Sequence, residues 1–201
     1  MSVTVATIAS AIAKANDAMG GLEQVLNEAD AKLGDGDTGG MLARVIGKMA
    51  ETDLSGAAEP AAALSQLAKA ASIATGSSLG TLFATGLLAV SRESRGRETI
   101  EPGELSALIA KARDAMIARG GASLGDKTVL DSLDAISRAL EGVDSTDEAA
   151  SVAAGAAGAA LDEFRSKPNR IGRARMFGDQ TIGQDDPGML AIKELSAALA
   201  R

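Results

Sequence analysis

Apolar residues recur along this chain with a period near that of an α-helix, and strand formers never alternate for long. That pattern fixes the fold class as all-α. Val5, Ile8, Ile12 and Ala13 mark one helical stripe over residues 4–17. Leu22, Val25, Leu26 and Ala29 mark a second, from about Gly20 to Lys32. A third begins near Thr38, whose hydroxyl can cap it, and carries Met41, Leu42, Val45, Ile46 and Met49. Glu59 to Thr75 is Ala-rich, with Leu64, Leu67 and Ala71 facing inward. Helix is expected again over Thr81–Val90, followed by a polar linker containing Arg92, Glu93, Arg95, Arg97 and Glu98. Pro102 suits the first turn of a helix that runs to about Arg119. Asp126 suits a cap before the next helix. Thr146–Arg165 is long and Ala-rich, and a last helix covers Gly188–Leu199. Eight or nine helices in a single domain spanning residues 1–201 are therefore expected.

Composition narrows the chemistry. The only aromatic residues are Phe83, Phe164 and Phe177, so the core must be built from Ala, Leu, Ile, Val and Met. A net charge of -7 argues against a nucleic-acid partner, which needs a basic face. Cysteine is absent, which excludes disulfides and thiolate metal sites. Histidine is absent too, which excludes imidazole ligation, a histidine base and a phosphohistidine on this chain. Any bound metal must be held by oxygen, which points to magnesium or calcium. No secretory pattern and no run of 18 apolar residues is present, so a cytoplasmic location without membrane contact is expected.

Four connections carry more than turn chemistry. In "ADAKLGDGDTGG", Asp30, Asp35 and Asp37 fall within eight residues. Brought together by a glycine turn, they repel one another unless a cation sits between them. Hard oxygen ligands suit Mg²⁺ completed by waters and phosphates, whereas a capped turn with solvated acids is the plainer alternative. The spacing does not fit an EF-hand. "TGSSLG", Thr75 to Gly80, opens a helix and offers hydroxyls and free amides to an anion. It is not a Walker A loop. In "RGGASLGDKTVLD", Lys127 and Thr128 are expected in the first helical turn. A lysine there opposes the helix dipole, so it faces either an anionic partner or solvent. Residues 166–187 read as one long irregular stretch, and its Arg173 suits bidentate phosphate binding. An acidic metal site, an amide-rich anion site and an arginine are parts for nucleotide phosphates. No base is evident, and phosphoryl transfer can proceed without one through positioning and electrostatics.

These motifs resemble the nucleotide-binding L subunit, or L domain, of dihydroxyacetone kinases. The resemblance runs over about residues 5–200 and rests on Asp30 with "GDGDTGG", "GSSLGTLF", "GDKTVLD" and "GRARMFGDQTIGQDDPG", in that order. It implies a barrel of eight antiparallel helices with ADP or ATP at one rim. It implies two Mg²⁺ held by Asp30, Asp35 and Asp37. Ser77, Ser78 and the amides near Gly80 would cradle phosphates. Thr128 would lie near the nucleotide, Gly121 and Ala122 beside the base, and Asp186-Pro187-Gly188 would close that side. Arg173 would act at the phosphates.

The family usually has His where Thr38 stands here. Its hydroxyl can cap the helix or bind a phosphate oxygen, but it cannot carry positive charge. Further departures are Thr75, Leu79, Arg175, Met176 and Gln184. The resemblance implies a separate K subunit that holds a ketone covalently through its own histidine. This chain would be a stand-alone subunit needing that partner. Phosphate would come from ATP, or from bound ADP recharged by a phosphohistidine phosphotransferase protein. The acceptor would be dihydroxyacetone or a related short ketose such as erythrulose. Homodimer formation stays open. The alternative is a non-catalytic Mg-nucleotide-binding regulatory module.

Overall fold

The computed structural model describes residues 2–201. It contains eight α-helices: α1 Val5–Asp30, α2 Thr38–Ala50, α3 Pro60–Ala74, α4 Ser78–Glu93, α5 Leu105–Gly120, α6 Val129–Ala139, α7 Thr146–Arg165 and α8 Pro187–Leu199. Short 3₁₀ segments cover Pro102–Glu104 and Ala174–Thr181. Each helix packs against its successor, and α8 returns to pack against α1, so the helices form a closed ring. Most connections are short, which makes neighbours antiparallel. No strand occurs among the described residues; an isolated antiparallel bridge joins Val3 to Ile100. The expected all-α barrel is the fold.

Alternation up and down the ring has a direct consequence for function. The connections α1–α2, α3–α4, α5–α6 and α7–α8 all emerge at one rim. These are the four motif-bearing loops of the sequence.

Several helix limits differ from expectation. The first two stripes belong to one 26-residue helix, α1. Gly20 and Gly21 sit inside it, and a Cβ at either would meet nothing within 4 Å. Interior glycine weakens a helix by only about 1 kcal/mol, so tertiary packing carries α1 through the pair. At its start Thr4 and Thr7 cap reciprocally. Helix α4 begins at Ser78 and takes in Arg92 and Glu93, which the polar composition assigned to a linker. Helix α6 is capped by Thr128, not Asp126. Thr128 Oγ accepts from the Leu130 amide at 3.2 Å, and Asp131 reaches back to the Thr128 amide at 2.8 Å. Asp126 instead accepts from the Ser123 amide at 2.8 Å.

The core is aliphatic and small, as three phenylalanines require. Leu26, Val45, Met49, Leu67, Leu130 and Met189 are fully shut from solvent, as are Ala63, Ala68, Ala71 and Ala157. Alanine stripes let helix axes approach closely. A close approach lies where α1 meets α2, because a Cβ on Gly39 would fall 2.0 Å from the Glu23 carbonyl oxygen. That contact fixes the end of α1, and therefore Asp30, beside the start of α2.

Candidate functional site

The four loops at the shared rim bound a cavity of about 720 Å³. Asp30, Leu33 and Thr38 line it from the first loop, and Gly76, Ser77 and Ser78 from the second. Arg119, Gly120, Ala122 and Thr128 line it from the third. Ile171, Gly172, Arg173 and the turn Asp186-Pro187-Gly188 complete it. Leu79, Leu82, Val129 and Leu130 make much of the remaining wall apolar.

The acidic loop has a defined geometry. Asp30 ends α1 and turns back over its own loop, where Oδ2 accepts from the amides of Asp37 at 3.0 Å and Thr38 at 3.3 Å. The start of α2 is thus capped by a carboxylate from the preceding helix, which also suits the helix dipole. Thr38 does not cap it. The cap position belongs to Asp37, whose side chain makes no capping bond. Gly34 makes the fold-back fit, since a Cβ there would lie 2.5 Å from Asp30 Oδ1. Gly36 turns the loop with φ +76°. Asp30, Asp35 and Asp37 each place one carboxylate oxygen within 4.8 Å of the others. Asp35 and Asp37 are exposed and lie outside the cavity lining, next to Asp30 and to Arg173, which are part of it. The Arg173 guanidinium pairs with Asp35, so positive charge is already drawn to the cluster. Three hard carboxylates converging beside open space, with a cation against them, fit Mg²⁺.

At the second loop, Ser77 caps α4. Its Oγ accepts from the Gly80 amide at 3.1 Å, and its own amide donates to Thr75 Oγ at 3.1 Å. The Gly80 amide is therefore engaged within the cap. Gly80 is buried, and a Cβ there would collide with Thr75 Oγ at 2.0 Å, so this glycine serves packing. The residues that face the cavity are Gly76, Ser77 and Ser78.

At the third loop, Gly121 ends α5 with φ +71° and lies outside the cavity lining, whereas Ala122 and Thr128 lie within it. Lys127 meets neither of its expected partners. It is 1% exposed and donates to main-chain carbonyls.

The fourth loop is more ordered than its composition suggests, with 3₁₀ structure kinked at Gly178. Asp186 caps α8: Oδ1 accepts from the Met189 amide at 2.9 Å, and Oδ2 from Asn169 Nδ2 at 2.8 Å. Burial of its carboxyl pushes the pKa up to about 6, against the pull of those hydrogen bonds and of Lys127. Gly188 lets α8 approach α6, since a Cβ there would lie 2.7 Å from Val129 Cγ1. Asn169 and Arg119 were not singled out by the sequence. Arg119 carries the signal of a charged residue at a glycine-terminated helix end, but no spacing rule points to a buried Asn169.

A cavity with acids, hydroxyls, guanidinium groups and an apolar wall suits a phosphorylated ligand with a flat ring. The DAK2 domain matches residues 32–201. The chain is 29% identical to the ADP-binding subunit DhaL of PEP-dependent dihydroxyacetone kinase 1 from Listeria innocua, over 83% of this chain and 80% of that one. It is 33% identical to the D-erythrulose kinase of Mycolicibacterium smegmatis, over 90% of this chain and 33% of that one. The dihydroxyacetone kinase from C. freundii, solved with AMP-PNP and Mg²⁺, superposes with a TM-score of 0.75 at 23% identity, covering 100% of this chain and 34% of that one. The chain thus spans about a third of the length of the last two proteins. With the matched domain covering most of the sequence and the fold shared throughout, this chain belongs to the DAK2 domain family, that of the L subunits and L domains of dihydroxyacetone kinases.

Proposed function

We propose that this chain is the Mg-nucleotide-binding subunit of a dihydroxyacetone-type kinase, and that it transfers phosphate to a short hydroxyketone held covalently on a separate K subunit. The observation that carries the reading is the convergence of Asp30, Asp35 and Asp37 within 4.8 Å beside a cavity that Ser77, Ser78 and Arg173 also line. The relatives named for dihydroxyacetone and D-erythrulose support the acceptor class.

Asp30, Asp35 and Asp37 would hold two Mg²⁺. When bound, these ions would neutralise phosphate charge. The protein's own groups do the rest. Ser77 and Ser78, at the positive end of α4, hold the diphosphate. Arg173 swings from Asp35 onto the transferred phosphate, where two parallel N–H bonds offset charge that spreads in the transition state. The Thr38 hydroxyl donates to a phosphate oxygen. Ala122 and Thr128, with Gly121 behind them, receive the base side, and Asp186-Pro187-Gly188 closes it. No histidine is available, so the acceptor hydroxyl is activated on the partner, and this chain contributes position and electrostatics.

The test is a coupled assay with a K subunit of a dihydroxyacetone kinase. It compares ATP with a phosphohistidine phosphotransferase donor across dihydroxyacetone and erythrulose. Turnover with ATP alone identifies the direct route. Turnover only with the phosphohistidine donor, together with ADP retained through gel filtration, identifies the recharged route. Mg-nucleotide binding with no transfer by either route would make the chain a regulatory partner. Absence of Mg-nucleotide binding would overturn the reading altogether.

A further inference from the structure

Lys127 is a charged side chain buried beside the cavity that the transfer chemistry does not use. It is 1% exposed, and its Nζ donates to the carbonyls of Lys167 at 2.8 Å, Thr181 at 2.9 Å and, more weakly, Arg165 at 3.5 Å. An ammonium has three N–H donors, and here each has a carbonyl. That of Arg165 lies at the negative end of α7, where a cation is favoured, and that of Lys167 lies two residues past the helix end. Burial pulls the lysine below its ordinary pKa, while Asp186 and Asp185 push it back. The backbone bears strain to direct this side chain inward. Lys127 has φ +62°, the only non-glycine positive φ among the described residues.

The main chain of the same residue makes a second tether. Asn169 Nδ2 donates to the Lys127 carbonyl at 3.0 Å and to Asp186 Oδ2 at 2.8 Å. The Asn169 amide donates to Thr181 Oγ at 2.9 Å, and that hydroxyl donates to the Gly178 carbonyl at 2.8 Å. One residue therefore grips the end of α7 at 165 and the fourth loop at 167, 169 and 181. Between these grips lies exposed chain carrying Arg173. On the other side, Lys127 is bonded directly to Thr128, the cap of α6 and part of the cavity wall.

We propose that Lys127 is a positioning residue, which fastens both ends of the fourth loop to the start of α6 and so holds Arg173 over the acidic loop. The proposal rests on the phosphate-transfer reading of the cavity. A free loop would let Arg173 sample many places, and closing its base restricts it to few. The compact ammonium suits a convergence of carbonyls, whereas a planar guanidinium does not reproduce it.

Two variants test this. Lys127→Met keeps length and removes the donors; Lys127→Gly also relieves the positive φ. In ligand-free protein, tryptic cleavage at Arg170, Arg173 and Arg175 is expected to run about tenfold faster in both, with helical circular dichroism unchanged. In the coupled assay kcat is expected to fall about 10- to 100-fold while nucleotide Kd stays within about threefold. The double variant K127M/R173A is expected to turn over no more slowly than R173A, because both changes remove one function. Parent-like tryptic resistance, parent-like kcat, or a double variant slowed by the full additional factor would each overturn the proposal. Should the Lys127 variants not fold, Asn169→Ala removes the main-chain tether and is read in the same ways. If the parent binds no Mg-ADP, the reading of the cavity has failed, and the tryptic experiment still decides whether Lys127 fastens the loop.

Discussion

Arg173 and Asp35 form an ion pair across the mouth of the cavity, joining the loop before α8 to the loop before α2. Both side chains are about half exposed, so the pair is worth no more than about 1 kcal/mol. Its value is therefore positional. The guanidinium occupies the place where positive charge is wanted and shares a carboxylate with it. Arg173→Ala is expected to leave thermal stability within about 0.5 kcal/mol of the parent. It is expected to raise Mg²⁺ affinity in the absence of nucleotide, because Asp35 loses a competing cation. Phosphate transfer is expected to fall about 10²- to 10³-fold. Melting curves, Mg²⁺ titration calorimetry and the coupled assay read the three effects; unchanged turnover would remove Arg173 from the site.

The acids of the first loop are not equivalent. Asp37 makes no capping bond with its side chain, whereas Asp30 accepts from two main-chain amides at the start of α2. Asp30→Ala and Asp37→Ala are both expected to abolish Mg-dependent ADP binding in calorimetry. Only Asp30→Ala is expected to lower stability as well, by about 1–2 kcal/mol, because it leaves those amides without their acceptor. Parent-like binding by Asp37→Ala would break the metal assignment.

Residue patterns exposed the ring but not its fastenings. Period and composition revealed the helices, and glycine with repeated acids revealed the loops, because both signals are local. Arg173, Asp30 and Ser77 were legible because their chemistry is carried by residue type alone. Lys127 was not. Its dipole argument assumed a side chain pointing out of the first helical turn, whereas a positive φ at Lys127 sends it inward to carbonyls 38 to 54 residues away in sequence. The packing role of Gly80 shows only in the structure, where Thr75 lies over it. Long-range contacts of this kind leave no periodic trace.

Asp186 sets a pH dependence of known sign. Its folded pKa, about 6, lies above the ordinary carboxylate value of 3.8, so between these values the native state binds more protons than the unfolded chain. Stability therefore declines as pH rises through this window and levels off above it. Asp131, also raised by burial, contributes in the same direction. Asp186→Asn removes one titration and keeps a good capping residue. Denaturant unfolding at several pH values is expected to show the variant gaining stability relative to the parent as pH rises from about 4 to about 6. A constant difference across that window would mean that Asp186 does not titrate there.

The glycines of α1 and α2 separate packing from propensity. A Cβ on Gly20 meets nothing within 4 Å, whereas one on Gly39 would lie 2.0 Å from the Glu23 carbonyl oxygen and 2.8 Å from Asn27 Oδ1. Gly20→Ala is expected to stabilise the protein by about 0.5–1 kcal/mol, since alanine loses less backbone entropy in a helix. Gly39→Ala forces α2 away from α1 and is expected to destabilise by about 1–3 kcal/mol. The displacement also separates the amides of Asp37 and Thr38 from Asp30, whose carboxylate belongs to the acidic cluster. Mg²⁺ affinity is therefore expected to fall in Gly39→Ala and not in Gly20→Ala. Melting curves paired with Mg²⁺ titration check both. A Gly39→Ala protein with parent-like stability and affinity would show that the close contact between α1 and α2 does not set the geometry of the acidic loop.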